Sequence, residues 1–127
     1  MVLDASVLLA ILNREPGAER FLQQYDVFGE SVVSSVNVAE ACCKLVAMGA
    51  IPEKAFEAVA LAAGEIVDFD AEQARTCGEL TLKTRALGLS MGDRACLALG
   101  IKLEAPVYTT DRAWKNLKIQ VPIRMIR

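Results

Sequence analysis

Four acidic side chains stand where an uncompensated carboxylate is costly. Asp4 lies inside VLDAS, between Val2-Leu3 and Ala5-Ser6-Val7, so it is expected to be partly buried, and a buried charge needs a partner. Glu40 falls on a stripe with Val36, Cys43 and Ala47, which places an acid on an apolar helix face. Asp93 follows Ser90 by three residues, and Asp111 directly follows Thr110. Each has an ordinary local reading: Asp4 and Asp111 as helix N-caps, Asp93 as half of a capping box, and Glu40 as a surface pair with Lys44 one turn on. If they share a pocket, like-charge repulsion raises some of their pKa values, and a divalent cation resolves it. Mg²⁺ accepts carboxylate and water oxygens, typically keeps several waters, and makes one of them acidic enough to attack a phosphodiester. Ser6 and Thr110 are hydroxyls beside these acids, suited either to orienting such waters or to satisfying a local backbone group.

The chain contains no histidine. That removes Ser-His-Asp and Cys-His catalysis, histidine general bases and the commonest transition-metal ligand, so any chemistry must run on carboxylates, hydroxyls, Lys or Arg. Hard, oxygen-loving cations are the natural partners of such a set. Cys42, Cys43, Cys77 and Cys96 have no C-x-x-C spacing and sit among Ala, Leu and Val, so they are expected to be buried apolar fillers rather than a zinc site or a disulfide.

The elements that must position these acids alternate between extended and helical. Val2-Leu3 reads as a strand, followed by a helix through Leu12, a break at Pro16-Gly17 and a short helix over Ala18 to Tyr25. Val27-Phe28 and Ser31 to Ser34 read as extended. Ser35 is expected to cap a helix over Val36 to Met48, and a third helix runs from Pro52 to Ala63. Glu65 to Phe69 reads as a strand, Asp70 caps a helix to about Leu87, and Ser90 opens another through Leu103. Ala105 to Thr109 is a strand, Asp111 opens a short helix to about Leu117, and Ile119 to Met125 is a terminal extended segment. The alternation predicts an α/β sandwich on a mostly parallel central sheet, with ligands at the carboxyl ends of the strands. Asp4, Glu40, Asp93 and Asp111 all fall at those ends, which independent capping roles would not require.

A length of 127 residues, 54% hydrophobic and 24% charged, suits one domain over 1–127 and excludes a disordered chain. The longest charge-free runs are nine residues, too short for a transmembrane helix, and no secretory signal is recognisable, so a cytoplasmic protein is expected.

The blocks VLDAS at 2–6, SSVNVAEACCKL at 34–45, LSMGDRACLALG at 89–100 and VYTTDRAW at 107–114 resemble the four motif blocks of PIN-domain ribonucleases, and most closely VapC-type toxins of bacterial type II toxin–antitoxin pairs. The resemblance spans the whole chain in block order and spacing. It implies a PIN-like three-layer α/β/α sandwich around a five-stranded sheet and an endoribonuclease dependent on Mg²⁺ or Mn²⁺. Carried over by position, Asp4, Glu40, Asp93 and Asp111 are the acidic quartet and metal ligands, with Ser6 and Thr110 as accessory polar residues. The implied partners are an RNA substrate, such as structured tRNA or rRNA, a cognate antitoxin, and a second copy of the chain in a homodimer. The implied role is the toxin that inhibits translation and growth.

A net charge of −2 is unusual for a nucleic-acid binder, a gap that metal ions and local basic residues can bridge. Arg94 and Arg112 directly follow site acids, and salt bridges to those acids are their ordinary reading. Trp114 suits either stacking on a base or anchoring the core. A catalytically silent PIN-like protein-binding module is the competing function. A haloacid-dehalogenase-like phosphatase lacks its second acid, since Asp4-Ala5-Ser6 is not D-x-D, and a phosphoryl-accepting receiver lacks its acid pair and late Lys.

Overall fold

The computed structural model describes all 127 residues. Its elements run β1 (Val2–Leu3), α1 (Ala5–Leu12), α2 (Ala18–Gln24), α3 (Val27–Glu30), β2 (Val32–Ser34), α4 (Ser35–Ala47), α5 (Pro52–Ala63), β3 (Glu65–Val67), α6 (Ala71–Thr84), α7 (Met91–Leu103), β4 (Val107–Thr109) and β5 (Ile123–Met125), with single 3₁₀ turns at Arg85–Leu87 and Arg112–Trp114. The five strands form one sheet in the order β3-β2-β1-β4-β5, and every pairing is parallel. Val2 pairs with both Val32 and Val107, and Leu3 with Tyr108, so β1 is central.

A central parallel strand is covered on both faces, which is why β1 reads as an unbroken apolar run. Pleating sends its two residues to opposite cores. Leu3 joins Leu8 of α1, Phe21 of α2, Val38 of α4, Val59 of α5 and Tyr108 of β4 on one face. Val2 joins Cys77 and Leu80 of α6, Cys96, Leu97 and Leu99 of α7, Val107 of β4 and Trp114 on the other. Trp114 is fully buried, so it anchors the second core and has no free face for a base.

The expected α/β architecture is present, and the sheet is entirely parallel. Several local expectations differ. Val27-Phe28 is helical, because Asp26 caps α3 by accepting from the Gly29 amide at 3.2 Å. Ser34, not Ser35, caps α4, and the Ser35 hydroxyl accepts from the Phe69 amide at 3.1 Å, tying α4 to the end of β3. The segment after Asp111 closes a single 3₁₀ turn rather than a helix to Leu117, and β5 spans only Ile123–Met125. Among the cysteines, Cys77 and Cys96 are buried as expected, whereas Cys42 is half-buried and Cys43 is exposed.

Gly100 sets how closely α7 lies on β4. A Cβ there would overlap Val107 Cγ2 and sit 3.3 Å from the Ala105 carbonyl oxygen, so Val107 must move or the helix must lift. Gly100→Ala is expected to destabilise the fold by about 1–3 kcal/mol despite the better helix propensity of Ala. Urea unfolding checks this; a stabilised variant would mean that the helix lifts freely.

Candidate active site

The site is built at the carboxyl edge of the sheet, where β1, β2 and β4 hand over to the segments that follow them. Asp4 closes β1 and caps α1. It is buried, with 4% exposure, and both of its oxygens are engaged. Oδ1 accepts from the Ser6 hydroxyl at 2.6 Å and the Val7 amide at 3.0 Å, and Oδ2 accepts from the Thr109 hydroxyl at 2.7 Å. Burial pushes its carboxyl up to about 6; the hydroxyl and amide donors oppose that rise, and the nearby charge of Asp93 adds to it.

Asp93 stands in the first turn of α7 as half of a capping box with Ser90. Its amide donates to Ser90 Oγ at 3.2 Å, and the Ser90 amide donates to Asp93 Oδ2 at 2.8 Å. The local capping reading is therefore correct, yet it does not exhaust the residue. Burial raises its carboxyl, and the charges of Glu40 and Asp111 raise it further. A residue needed only as a cap has no reason to face two other acids.

Glu40 lies on α4 in the stripe that the spacing suggested, but that stripe is not the buried face. The buried face of α4 is Asn37, Val38 and Ala41, and Cys43 and Ala47 are exposed, so Glu40 rides the edge of the core. Its side chain is 29% exposed, and Oε1 meets Lys44 Nζ at 3.4 Å, the expected pair. Its other oxygen faces inward, accepting from Asn37 Nδ2 at 3.4 Å. Asp111 caps the 3₁₀ turn by accepting from the Ala113 amide at 2.9 Å, and it is exposed.

Asp4, Asp93, Glu40 and Asp111 thus share one edge and are linked by their fields. Asp93 connects Asp4, Glu40 and Asp111, and the buried Cys96 thiol beneath is pushed well up by burial and then by Asp4, Asp93 and Glu40. They do not close into a ligand cluster: nowhere are three Asp, Glu or Cys side chains gathered tightly enough to hold a metal ion. Arg94 and Arg112 form no salt bridge with the acids they follow. Arg94 instead donates to the Leu89 carbonyl at 2.8 Å.

The two accessory hydroxyls divide. Ser6 holds Asp4 and accepts from the Thr110 amide at 3.0 Å, so it bridges β1 to the chain after β4. The Thr110 side chain makes no hydrogen bond, and Thr109 is the hydroxyl that reaches Asp4. Its oxygen also accepts from the Asp111 amide at 3.0 Å, so one side chain positions two of the acids. Register explains the shift: Leu3 lies opposite Tyr108, which sets Asp4 beside Thr109.

Two further residues escaped the motif reading. Asn37 is fully buried, donates to the Gly92 carbonyl at 2.9 Å and to Glu40, and leaves its Oδ1 without a partner. Gly92 makes room for Glu40: a Cβ there would lie 2.9 Å from Glu40 Oε2. Gly92→Ala is expected to displace the Glu40 carboxylate at little cost in stability, because a side-chain tip can move; a crystal structure of the variant checks the displacement.

In overall shape, the chain is similar to VapBC2 from Rickettsia felis bound to a DNA fragment from its promoter, with TM-score 0.73 and 19% identity over 98% of this chain and 96% of that one. It is similar to DNA-bound VapBC from Salmonella typhimurium, with TM-score 0.72 and 16% identity over 99% and 97% of the two chains. It is also similar to VapC20 of Mycobacterium tuberculosis, described as a Sarcin-Ricin loop cleaving toxin, with TM-score 0.72 and 18% identity over 95% and 98%. No curated protein matches the chain. The PIN-domain profile matches residues 1–120, taking in Asp4, Glu40, Asp93 and Asp111, and the chain belongs to the PIN-domain family.

Proposed function

We propose that this chain, one PIN domain over 1–127, is a metal-dependent endoribonuclease that acts as the toxin of a type II toxin–antitoxin pair, cutting RNA in the cytoplasm to arrest translation and growth. The observation that carries the reading is Asp4: a buried carboxylate, held by Ser6 and Thr109, in the field of a second acid that two more acids surround. The donor set fits Mg²⁺ or Mn²⁺. It is all oxygen, its members repel one another in the absence of a counter-charge, and the buried Asn37 Oδ1 beside Glu40 has no partner. Asp4 and Asp93 are the direct ligands in this reading, and Glu40 and Asp111 are ligands or positioners. PIN-domain nucleases are typically metal-dependent, and a bound divalent cation supplies an acidic water and a counter-charge for the phosphorane-like transition state.

The chain's own residues do the rest. Ser6, the Val7 amide and Thr109 fix the Asp4 carboxylate in one orientation; Oδ1 accepts twice and Oδ2 once, which leaves Oδ2 a lone pair for a further contact. Thr109 and the 3₁₀ turn hold Asp111 at the rim, where an incoming strand meets it first. Asn37 aims Glu40 toward Asp93 and ties α4 to the start of α7 through Gly92. A chain without histidine has no imidazole pair for metal-free RNA cleavage.

An antitoxin partner is supported by the toxin–antitoxin complexes among the structural relatives. A homodimer is supported by apolar side chains left in solvent, among them Phe28, Met48, Ile51 and Phe56. The testing experiment is digestion of total cellular RNA by the purified chain with Mg²⁺ or Mn²⁺, beside EDTA. Discrete fragments that vanish in EDTA are expected, and their ends identify the RNA. Intact RNA, from folded chain freed of any co-purifying partner, would instead return the silent protein-binding module.

A further inference from the structure

A second concave feature lies one strand beyond the acids. Residues of α2, β4 and the end of the chain enclose a cavity of ≈ 340 Å³. Its lining holds three arginines, Arg20, Arg124 and Arg127, and no acidic side chain, in a chain whose Asp and Glu outnumber its Lys and Arg by 16 to 14. Arg127 is engaged, meeting Glu15 at 3.9 Å and donating to the Pro16 carbonyl at 3.3 Å. Arg20 and Arg124 have no carboxylate partner.

The wall of the cavity is aromatic. Phe21, Tyr25 and Tyr108 form a triad with ring centroids 5.2–5.5 Å apart, and the Arg124 guanidinium lies 6.0 Å over the Tyr108 ring, donating to its hydroxyl at 3.4 Å. Phe21 and Tyr108 are buried, so Tyr25, half-buried, is the ring open to a planar group. A guanidinium without a carboxylate partner, beside an available aromatic face, is how proteins hold the phosphate and base of a single strand.

The cavity also connects to the acid site. The Ile126 amide in its lining donates to the Thr109 carbonyl at 3.1 Å, and the Thr109 hydroxyl holds Asp4. Two strand spacings, ~10 Å, separate β5 from β1, a reach that a nucleotide or two of the strand being cut can span.

We propose that this cavity, with Arg20, Arg124 and Tyr25 at its mouth, is the subsite that holds a phosphate and its base beside the bond to be cut. The proposal rests on the ribonuclease reading. The test is binding of a fluorescein-labelled single-stranded RNA decamer of mixed sequence, followed by anisotropy in EDTA across a salt series. Arg20→Gln/Arg124→Gln is expected to bind about tenfold more weakly, and the dependence of log Kd on log salt to become shallower by ~1.4, because two phosphates are no longer neutralised. Lys54→Gln/Lys83→Gln, the same charge change on α5 and α6, is expected to leave both nearly unchanged, and unfolding curves confirm that all variants fold. Equal RNA binding by the Arg20/Arg124 variant and the parent chain overturns the subsite. So does a labelled Glu-rich decapeptide that needs these arginines while RNA does not, which would make the cavity a peptide site. A chain that cleaves RNA with binding indifferent to the pair overturns only the subsite. Pair-dependent binding in a chain that cleaves nothing upholds the cavity as an RNA site and overturns the nuclease.

Discussion

Asp4→Asn and Asp93→Asn are each expected to lower metal-dependent RNA cleavage by at least about 10²-fold, and Asp4→Asn is expected to make the metal-free chain more stable at pH 7, not less. The loss of activity follows from removing one negative charge from a site whose cation affinity depends on the sum of its charges. The gain in stability follows from the environment of Asp4. Its carboxyl is raised to about 6 chiefly by burial, so keeping it ionised at pH 7 works against the fold. Asn retains the shape and an oxygen for the Val7 amide and the Ser6 hydroxyl, so the cap on α1 survives, and its Nδ2 donates to Thr109 Oγ1, reversing that bond. Asp4→Ala must behave differently. It loses the cap, about 1 kcal/mol, and leaves the half-buried Ser6 hydroxyl and the buried Thr109 hydroxyl facing an empty space, a further cost of about 1–3 kcal/mol for Thr109, the buried group left unsatisfied. Denaturant unfolding of the parent, Asn and Ala chains in EDTA separates the two effects. If Asn and Ala lose stability equally, the charge of Asp4 is not what opposes folding, and the buried-carboxylate account of the site fails.

The layout of the fold was legible because it is written in local signals. Val2-Leu3 is apolar on both faces, Ser90 and Asp93 form the capping box that their spacing announces, and Asp70 caps α6 through the Gln73 amide at 2.8 Å. The acids were legible for a different reason: Asp4 and Asp111 follow β1 and β4, Glu40 lies in the helix after β2, and Asp93 opens α7, so three of the four stand where a parallel sheet collects its ligands and the fourth at a helix start. What stayed hidden was long-range. TTD offers two hydroxyls, and only the pairing of Leu3 with Tyr108 decides that Thr109 rather than Thr110 meets Asp4, 105 positions away.

Helix phase misled in the same way. Val36, Glu40, Cys43 and Ala47 do share a stripe, but α4 turns Asn37, Val38 and Ala41 to the core. A polar Asn on the truly buried face is invisible to hydrophobic periodicity, because its burial depends on a carbonyl of Gly92, 55 positions away. The arginines beside the acids misled through proximity in sequence. Adjacent residues on a helix point in different directions, and Arg94 turns back to the Leu89 carbonyl instead of crossing to Asp93.

The stability of the metal-free chain is expected to fall as pH rises from about 4 to above 6, and Mn²⁺ is expected to cancel that fall. The carboxyl of Asp4 goes from 3.8 in the unfolded chain to about 6 in the fold, so across this window the native state binds more protons than the unfolded one. Stability therefore declines as pH rises: the contribution is complete below 3.8 and is lost as pH passes through about 6. At 1.36 kcal/mol per unit the whole effect is about 3 kcal/mol, or roughly 4 °C in Tm for each kcal/mol in a chain of this size. Asp93 is raised too and adds in the same direction, while Asp70, lowered by its hydrogen bond with Lys102, opposes at lower pH. The difference between the parent chain and Asp4→Asn isolates Asp4 from both. A divalent cation binds the deprotonated site, so by linkage its stabilisation grows as pH rises through the same window. Thermal unfolding with EDTA and with MnCl₂, at pH 5 and at pH 7.5, reads both slopes. The expected result is a larger Mn²⁺ shift at pH 7.5 than at pH 5, and little shift at either pH in Asp4→Asn. A shift of equal size at both pH values, or one that survives Asp4→Asn, would place the ion elsewhere and remove Asp4 from the metal site.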